Sequence, residues 1–355
     1  MLLGETTGPA AAVWAQDHPV LEVLRQRKAQ ASVPGHRNDG HRVALAVEGG
    51  GLRGVVSAAM LTALEDLGYK DVFDVIYACS SGAINAAYFI VGETWYPTSI
   101  YFEDLVSKEF LDFRRVFRRQ SIMNLPFAMD EIVGRKKPLD YPAVLASPIP
   151  FHIMITDVDA MTTRAPSEFH SQQDLYQALQ ASMWLPLAAR GTARFRDYNA
   201  IDGGVLTAHP FMVAEADETV THVLSLSTRP MGRMRASTSA MNRFVGFRLD
   251  RTRKGLGSRY VEAVRTYKAA RSRVEAERTR PARSPAVLDL APLPQRAEVI
   301  RHESSSWLLL EGARTGYEVI YAALEGVWRR PMLRLVVPDH NRPSFPYRTW
   351  SDGDK

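Results

Sequence analysis

Short apolar runs alternate along the chain with segments whose apolar residues recur at helical spacing. The run 42–48 is followed by a helical pattern over 55–67, and the run 72–77 by a helical pattern over 83–90. Each pair predicts a strand, a turn and a helix. Two such units in succession favour a mainly parallel sheet covered by helices on both faces, which is a three-layer α/β sandwich.

Further apolar patterns continue this order of elements. Runs typical of strands occupy 150–156, 220–227, 287–290 and 333–338. Helical patterns occupy 20–30, 175–183 and 307–328. The segment 95–141 is less regular and mixes aromatic with basic residues. We find no internal repeat and no low-complexity segment, and the length fits one large α/β domain or two ordinary ones.

The second predicted strand stops at Ala-Cys-Ser-Ser-Gly, residues 78–82, just before a helical pattern. A nucleophilic serine in such a strand–turn–helix elbow presents its hydroxyl at the head of the sheet. Because the bend brings strand and helix close together, the residues two before and two after the serine must be small. Ala78 and Gly82 meet this need around Ser80, and the flanks of Ser81 fit it less well. Ser80 is therefore the candidate nucleophile.

The first predicted strand ends in Gly-Gly-Gly-Leu-Arg-Gly, residues 49–54. Consecutive glycines let backbone N–H groups turn toward a developing oxyanion, as acyl transfer requires. The same loop matches the G-x-G-x-x-G pattern of dinucleotide sites, but that pattern needs an acidic residue at the end of the next strand. The next strand ends instead at Ser80. We therefore favour an oxyanion loop over a dinucleotide site, and a plain tight turn is the third interpretation of this loop taken alone.

An Asp-Gly-Gly segment begins at Asp202. Asp-Gly is common in β-turns, so this segment alone predicts a turn, and its interest comes from its occurrence with the elbow and the glycine loop. A histidine is the alternative partner for a serine, and His209, seven residues later, is the candidate for a Ser–His–Asp triad. His152 falls in a predicted strand, where we expect a core residue. No motif indicates a metal site.

Together these segments resemble the motifs of the patatin-like phospholipase family, in the same order and at approximately the same spacing. The resemblance rests on the glycine loop 49–54, the elbow 78–86, Ala-Ser-Met-Trp-Leu-Pro at 181–186 and Ile-Asp-Gly-Gly-Val at 201–205. It extends from about residue 42 to residue 230 and is specific because several independent motifs agree. The remaining C-terminal third is similar to the tail of bacterial patatin-like proteins only loosely.

The resemblance implies a patatin-like fold and a serine acyl-hydrolase that cleaves acyl esters of phospholipids and related lipids without a metal or other cofactor. Ser80 would be the nucleophile and Asp202 the general base of a Ser–Asp dyad. The amides around Gly50 and Gly51 would form the oxyanion hole, within a set of loop residues that comprises Gly49, Gly50, Gly51, Arg53 and Gly54. An acyltransferase or thioesterase-type enzyme on the same dyad is the alternative.

A dyad makes a physical demand on Asp202. The ordinary pKa of an aspartate is about 3.9, so its carboxylate is a weak base near neutral pH. Partial desolvation raises the pKa of a carboxyl group and makes its ionised form a stronger base. We therefore expect Asp202 to be at least partly buried.

Composition adds a location and a set of partners to this picture. The chain has 355 residues, of which 46% are hydrophobic, but no apolar run approaches the roughly 20 residues of a membrane-spanning helix. We find no signal-peptide pattern, and the single cysteine, Cys79, leaves no internal disulfide. These features predict a cytoplasmic protein.

The charge distribution is uneven, although the formal net charge is only +5. Residues 229–284 carry sixteen Lys and Arg against four Asp and Glu, and the segment 113–119 mixes phenylalanine with arginine. Such segments favour a peripheral contact with an anionic membrane surface. A solvated helical face and ordinary helix packing are the alternatives. No nucleic-acid-binding signature accompanies the charge, so we expect no nucleic acid partner.

The pattern divides the chain into three parts. Residues 1–41 are a peripheral lead-in, and residues 42–230 are a patatin-like catalytic core. Residues 231–355 form a basic helical extension that packs on the core and completes it. The only segment that resembles a linker is 231–285, which ends in a stretch rich in arginine and proline.

Overall fold

The computed structural model describes residues 13–186, 188–232, 239–281, 283–326, 328, 335–338 and 347–350. Its strands are β1 (Val43–Val47), β2 (Val75–Cys79), β3 (Phe151–Asp157), β4 (Thr162–Arg164), β5 (Ala193–Phe195), β6 (Tyr198–Asp202), β7 (His222–Leu226), β8 (Ala286–Leu290), β9 (Leu335–Pro338) and β10 (Tyr347–Trp350). Its α-helices are α1 (Pro19–Ala29), α2 (Val55–Asp66), α3 (Ser81–Val91), α4 (Trp95–Thr98), α5 (Tyr141–Leu145), α6 (Gln172–Ser182), α7 (Phe211–Ala216), α8 (Ser239–Asp250), α9 (Leu256–Glu277) and α10 (Ser306–Glu325).

Short helical turns of other kinds join these elements. The 3-10 turns are Gly51–Gly54, Lys70–Val72, Phe113–Arg118 and Gly203–Val205. The irregular segment between α4 and α5 contains two π-helices, Ile100–Asp104 and Phe127–Lys136. Among the described residues, no helix is long and apolar enough to cross a membrane.

The central sheet is mainly parallel, as the sequence predicted. Its strand order is β5-β6-β3-β2-β1-β7-β8, and β4 also pairs with β3. The five strands β3, β2, β1, β7 and β8 run parallel. At the β3 edge, β4 and β6 each pair antiparallel with β3, and β5 pairs antiparallel with β6. The carboxyl ends of β1 and β2 are therefore neighbours, which places the glycine loop beside the elbow.

Helices cover both faces of the sheet, and every residue of β1 is therefore buried. Alternate side chains of a strand point to opposite faces. Leu45 and Val47 pack in one cluster with residues of α2 and α3, whereas Ala44 and Ala46 pack in another cluster with α7 and α9. The fold is the three-layer α/β sandwich expected from the hydrophobic pattern.

The C-terminal third contributes to both the sheet and the helical layer. β8 extends the sheet beside β7, and α10 packs along α2. The two helices pack so closely that a Cβ on Gly316 of α10 would lie 2.3 Å from the carbonyl oxygen of Val56. We therefore retain as a proposal that residues 231–355 complete the core.

One expectation about this third needs correction. The interpretation of 231–285 as a linker is wrong for its described residues, because they form α8 and α9. α9 buries Tyr260, Val264, Tyr267 and Val274 at helical spacing, a pattern that its many basic residues obscure. The predicted strand over 333–338 appears as β9, which pairs with β10 in a separate ribbon outside the main sheet. Residues 333 and 334, with 233–238 and 282, lie outside the described residues, as do 1–12 of the predicted lead-in.

The contact between α10 and α2 leads to a stability prediction. Gly316→Ala should destabilise the protein by about 1–3 kcal/mol, because the added methyl group clashes with a backbone carbonyl. Alanine otherwise favours a helix by about 1 kcal/mol over glycine, so a loss of stability in this variant would identify the steric contact. Chemical denaturation measures the change. Arg314→Ala, on a partly exposed position of α10, should change stability by less than about 0.5 kcal/mol. A stabilised Gly316→Ala protein would contradict this packing.

Candidate active site

Ser80 lies in a strained turn between β2 and α3. Its backbone has φ 56° and ψ −135°, a conformation that a residue with a side chain rarely adopts. The Ser80 N–H donates a hydrogen bond of 2.8 Å to Ser182 Oγ, and Ser182 Oγ donates one of 2.7 Å to the carbonyl of Met154. Ser182 belongs to the 181–186 motif, so these bonds connect that motif to the elbow. The strand–turn–helix context predicted for Ser80 is present.

The elbow and the glycine loop pack backbone against backbone. A Cβ on Gly49 would lie 2.3 Å from the Cys79 carbonyl oxygen, and a Cβ on Gly82 would lie 2.6 Å from the carbonyl oxygen of Val47. Real Cβ atoms do not approach other atoms so closely, so both positions require glycine. The shared contact fixes the loop directly beside Ser80.

Asp202 ends β6 next to this contact. Its backbone pairs with Ile155 of β3, and a Cβ on Gly203 would lie 2.4 Å from the Met154 carbonyl oxygen. The Asp202 side chain is only 5% exposed. Its Oδ1 accepts hydrogen bonds from the Gly204 N–H at 2.8 Å and from the Cys79 thiol at 3.6 Å. The expected burial of this carboxyl group is therefore present.

Burial raises the pKa of Asp202 above its ordinary value. A side-chain hydrogen bond with Ser80, the positive charge of Arg301 and the Gly204 N–H oppose this rise, because each stabilises the ionised form. The Ser80 side chain thus lies close enough to the Asp202 carboxyl to act on its pKa. A carboxyl group in this position could accept a proton from the serine without an intervening side chain.

The glycine loop has one amide beside Ser80 and others that are already occupied. The Gly50 N–H donates to Ser81 Oγ at 3.0 Å, and the Leu52 N–H donates to the carbonyl of Arg301 at 3.1 Å. Gly51 has φ +61°, begins the 3-10 turn and lines a cavity together with Ser80. The first amides of a helical turn have no partner within the turn. Gly51 is therefore the loop residue whose position best suits an oxyanion.

Gly54 and Arg53 support the loop from outside the cavity. A Cβ on Gly54 would lie 2.4 Å from Ser81 Oγ. The buried Arg53 donates from Nε to Thr228 Oγ1 at 2.8 Å and lies 3.6 Å from Glu48 Oε1. Burial, with the nearby positive charge of Arg229, lowers the pKa of Arg53 to about 9. The polar partners of Arg53 thus belong to a buried network. None of the contacts described here supports a role for its side chain at the oxyanion itself.

The two histidines considered from the sequence have other partners. Nδ1 of His209 accepts the N–H of Phe211 at 3.2 Å, so Nε2 carries the proton and donates it to Ser227 Oγ at 3.0 Å. Burial lowers the pKa of His209, which favours this neutral form. Nδ1 of His152 lies 2.9 Å from the carbonyl oxygen of Ala165. The ring nitrogens named here therefore interact with groups other than Ser80.

Two cavities adjoin the Ser80–Asp202 pair. The smaller, of about 70 Å³, is lined by Ser80, Gly51 and mainly apolar residues of α3 and the two π-helices. The larger, of about 270 Å³, is lined by Asp202, Gly204, Arg301 and His302 among apolar side chains. Met123 and Leu185 line both cavities and so lie at their boundary. Among the described residues, no group of three or more His, Cys, Asp or Glu side chains is placed to hold a metal ion.

Arg301 and His302 are site residues that the sequence did not predict. Arg301 lies almost one hundred positions after Asp202 and belongs to no motif, yet its carbonyl contacts the glycine loop and its charge acts on Asp202. Arg301 Nε is buried without a hydrogen-bond partner among the described residues. His302 packs against Phe113 with ring centroids 5.6 Å apart. Neither residue has a local sequence signal, because a distant segment brings both to the site.

Comparison with known proteins confirms the family resemblance. Residues 45–215 match the model described as patatin-like phospholipase, and this range contains the glycine loop, the elbow and the Asp-Gly-Gly segment. The uncharacterized protein YjjU of Escherichia coli (strain K12) is 26% identical over 187 residues, which cover 52% of this chain and 51% of YjjU. The chain thus spans about half the length of this curated relative.

A solved structure also matches this chain. The crystal structure of VipD from Legionella pneumophila is 11% identical, with a TM-score of 0.40. The match covers 88% of this chain and 68% of VipD.

The raised pKa of Asp202 predicts a stability that depends on pH. Between the unfolded and the raised folded pKa, the folded protein keeps a proton that the unfolded chain loses, so stability falls as pH rises through this window. Asp202→Asn removes the ionisation and keeps an oxygen for the Gly204 N–H. It should therefore melt at a higher temperature than wild type at neutral pH, and the difference should shrink as pH falls toward 4.

Thermal melts across this pH range measure the effect. Asp197→Asn is the matched control, because Asp197 is exposed in the turn that leads to β6. It should leave the melting temperature and its pH dependence close to those of wild type. A destabilised Asp202→Asn protein at neutral pH would show that the charge of Asp202 stabilises the fold, contrary to this account.

Proposed function

Because residues 45–215 match the patatin-like phospholipase family, we propose that the chain is a lipid acyl hydrolase with Ser80 and Asp202 as its catalytic dyad. The observation that carries the proposal is that the strained elbow of Ser80 adjoins the buried Asp202 carboxyl, which accepts a hydrogen bond from the neighbouring Cys79 thiol and whose pKa burial raises. A base of raised pKa beside a serine hydroxyl is the arrangement that a dyad requires.

The first half of the reaction forms an acyl-enzyme. Ser80 Oγ attacks the ester carbonyl carbon as its proton passes to Asp202. The resulting oxyanion lies at the glycine loop, where we assign the Gly51 amide as the leading donor because Gly51 shares the cavity of Ser80. Collapse of this intermediate breaks the bond to the leaving alcohol, which takes the proton from Asp202. The acyl group is then bonded to Ser80 Oγ.

The second half repeats these roles with water. Asp202 accepts a proton from water as the water oxygen attacks the acyl carbon, and the proton then returns to Ser80 Oγ as the fatty acid leaves. If an alcohol or thiol replaces water at this stage, the same dyad performs acyl transfer. Hydrolysis is our main proposal, and transfer is an alternative that the acceptor in the assay distinguishes.

The two cavities suggest where the parts of a substrate lie. The smaller cavity extends from Ser80 among apolar side chains such as Ile84, Leu125 and Met129, which suits an acyl chain. The larger cavity contains Arg301 beside Asp202, which suits a polar or anionic leaving group. We propose a lipid as the substrate, no cofactor and an anionic lipid surface as the place of contact. A cytoplasmic location stays a prediction.

Turnover of a defined set of acyl compounds tests the proposal. Suitable substrates are a soluble p-nitrophenyl ester, a monoacyl glycerophospholipid, phospholipid vesicles and an acyl thioester, each assayed with and without an added alcohol acceptor. Ser80→Ala should lower turnover by about a thousandfold or more, because it removes the nucleophile. Asp202→Asn should lower it by about a hundredfold or more, because it keeps the shape and removes the base.

His302→Gln is the matched control, because His302 lines the cavity of Asp202 and yet has no place in a dyad. This variant should retain most of its activity. An inactive, folded His302→Gln or His209→Ala enzyme would overturn the dyad in favour of a histidine mechanism. Wild-type protein that turns over none of these compounds would defeat the proposed function itself.

A further inference from the structure

Two surface elements border the larger cavity from different parts of the chain. Phe113 begins the 3-10 turn Phe113–Arg118 and lines the cavity, although it is 54% exposed. Val245 and Leu249 of α8 line the same cavity. Because Phe113 is both exposed and part of the lining, the cavity reaches the protein surface between these elements.

Both elements expose large apolar side chains. Phe117 is 87% exposed in the 3-10 turn, and Phe244 and Phe247 of α8 are 57% and 63% exposed. Met241, Phe244 and Phe247 follow one another at three-residue steps, so they lie near one face of the helix, whereas Leu249 faces the protein. Folded proteins usually bury phenylalanine, and grouped exposed apolar side chains mark an interaction surface.

Exposed arginines accompany these apolar side chains. Arg114 and Arg118 lie in the turn, and Arg243 and Arg248 lie in α8. None of these four forms an ion pair with another described residue, in contrast to Arg271 of α9, which pairs with Asp289 at 2.9 Å. The neighbouring carboxylates have other partners: Asp112 accepts the Arg114 N–H, and Asp250 accepts the N–H groups of Gly255 and Gly257. The surface is therefore positively charged as well as apolar.

We propose that the Phe113–Arg118 turn and the exposed face of α8 form a docking surface for an anionic lipid bilayer. The inference rests on the proposed function and specifies where the enzyme meets its substrate. Phenylalanine side chains enter the acyl region of a bilayer while arginines reach the phosphates above it, so one surface satisfies both groups. Docking here would turn the opening of the Asp202 cavity toward the lipids, which gives a lipid ester a short route to the dyad.

This composition favours a bilayer over the other occupants of such a surface. A second copy of the chain would bring arginines against arginines, because a symmetric interface pairs a surface with itself. A nucleic acid would pair with the arginines but leave the phenylalanines in water. A bilayer with anionic headgroups complements both features.

Binding of the full chain to vesicles tests the docking surface. We compare vesicles of phosphatidylcholine alone with vesicles of phosphatidylcholine and phosphatidylglycerol. Wild-type binding should rise with the anionic fraction and weaken with salt. The triple variant Phe117→Ser, Phe244→Ser, Phe247→Ser should reduce the bound fraction about tenfold or more. The variant Arg114→Gln, Arg118→Gln, Arg243→Gln, Arg248→Gln should remove the preference for anionic vesicles.

Matched controls use exposed residues of other elements. Val33→Ser with Leu145→Ser removes exposed apolar groups elsewhere, and Arg135→Gln removes an exposed arginine of the second π-helix. Both should bind vesicles as wild type does. Equal wild-type binding to the two kinds of vesicle, or wild-type binding by the triple phenylalanine variant, would overturn the proposal. A dimer in solution that the triple variant dissociates would also overturn it and assign the surface to a second copy.

The activity of the same variants separates this inference from the proposed function. The triple phenylalanine variant should hydrolyse a soluble ester at the wild-type rate and lose about tenfold or more on phospholipid vesicles. Ser80→Ala should be inactive on both substrates and bind vesicles as wild type does. Loss of soluble-ester turnover in the triple variant would contradict a pure docking role.

Discussion

The buried carboxylate of Asp202 is the constraint on which the rest of the site depends. A carboxyl group that is 5% exposed resists ionisation, and the groups around it limit this cost. The Gly204 N–H and the Cys79 thiol donate hydrogen bonds to it, and the Ser80 side chain and the positive charge of Arg301 also stabilise its ionised form. These groups come from three separate places in the chain, so the fold must bring the end of β2, the end of β6 and the segment around Arg301 together.

Close backbone contacts satisfy this requirement. Gly49, Gly82 and Gly203 each occupy a place where a Cβ would lie within 2.6 Å of a backbone oxygen. Because these contacts join β1 to β2 and β6 to β3, the loop, the elbow and Asp202 cannot move apart without loss of packing. A hydrogen bond from the Ser80 N–H to Ser182 Oγ holds the strained backbone of Ser80 in place. The site is therefore a property of the parallel sheet and its packed carboxyl ends.

Local sequence patterns were sufficient to predict those parts of the site that lie within short segments of the chain. The apolar runs predicted β1, β2, β3, β7 and β8 within a few residues, and the glycine loop and elbow lie at the strand ends where their spacing predicted them. Arg53 shows the limit of this approach. Its place in the loop suggested a role near the oxyanion. Its side chain contacts Thr228, which lies far along the chain, and Glu48, which lies just before the loop. No local pattern contains those partners.

Long-range contacts account for the other differences. Arg301 reaches the site through its carbonyl bond to Leu52, a contact between segments with no shared motif. The sequence predicted a basic helical extension but not the separate bounds of α8 and α9, because basic residues dilute their apolar stripes. The antiparallel strands β5 and β6 are too short to give a clear period. Outside the matched range 45–215, the C-terminal third thus adds a strand to the main sheet, a helix layer and five residues that line the larger cavity, Val245, Leu249, Tyr260, Arg301 and His302.

The rate and site of labelling by a fluorophosphonate test the central claim, direct activation of Ser80 by Asp202, most directly. The probe reacts with an activated serine and needs no knowledge of the natural substrate. Wild-type protein should be labelled on the peptide that contains Ser80, and Asp202→Asn should slow labelling by about a hundredfold or more while His302→Gln labels at nearly the wild-type rate. Labelling on a different serine, or at an unchanged rate in Asp202→Asn, would contradict the account.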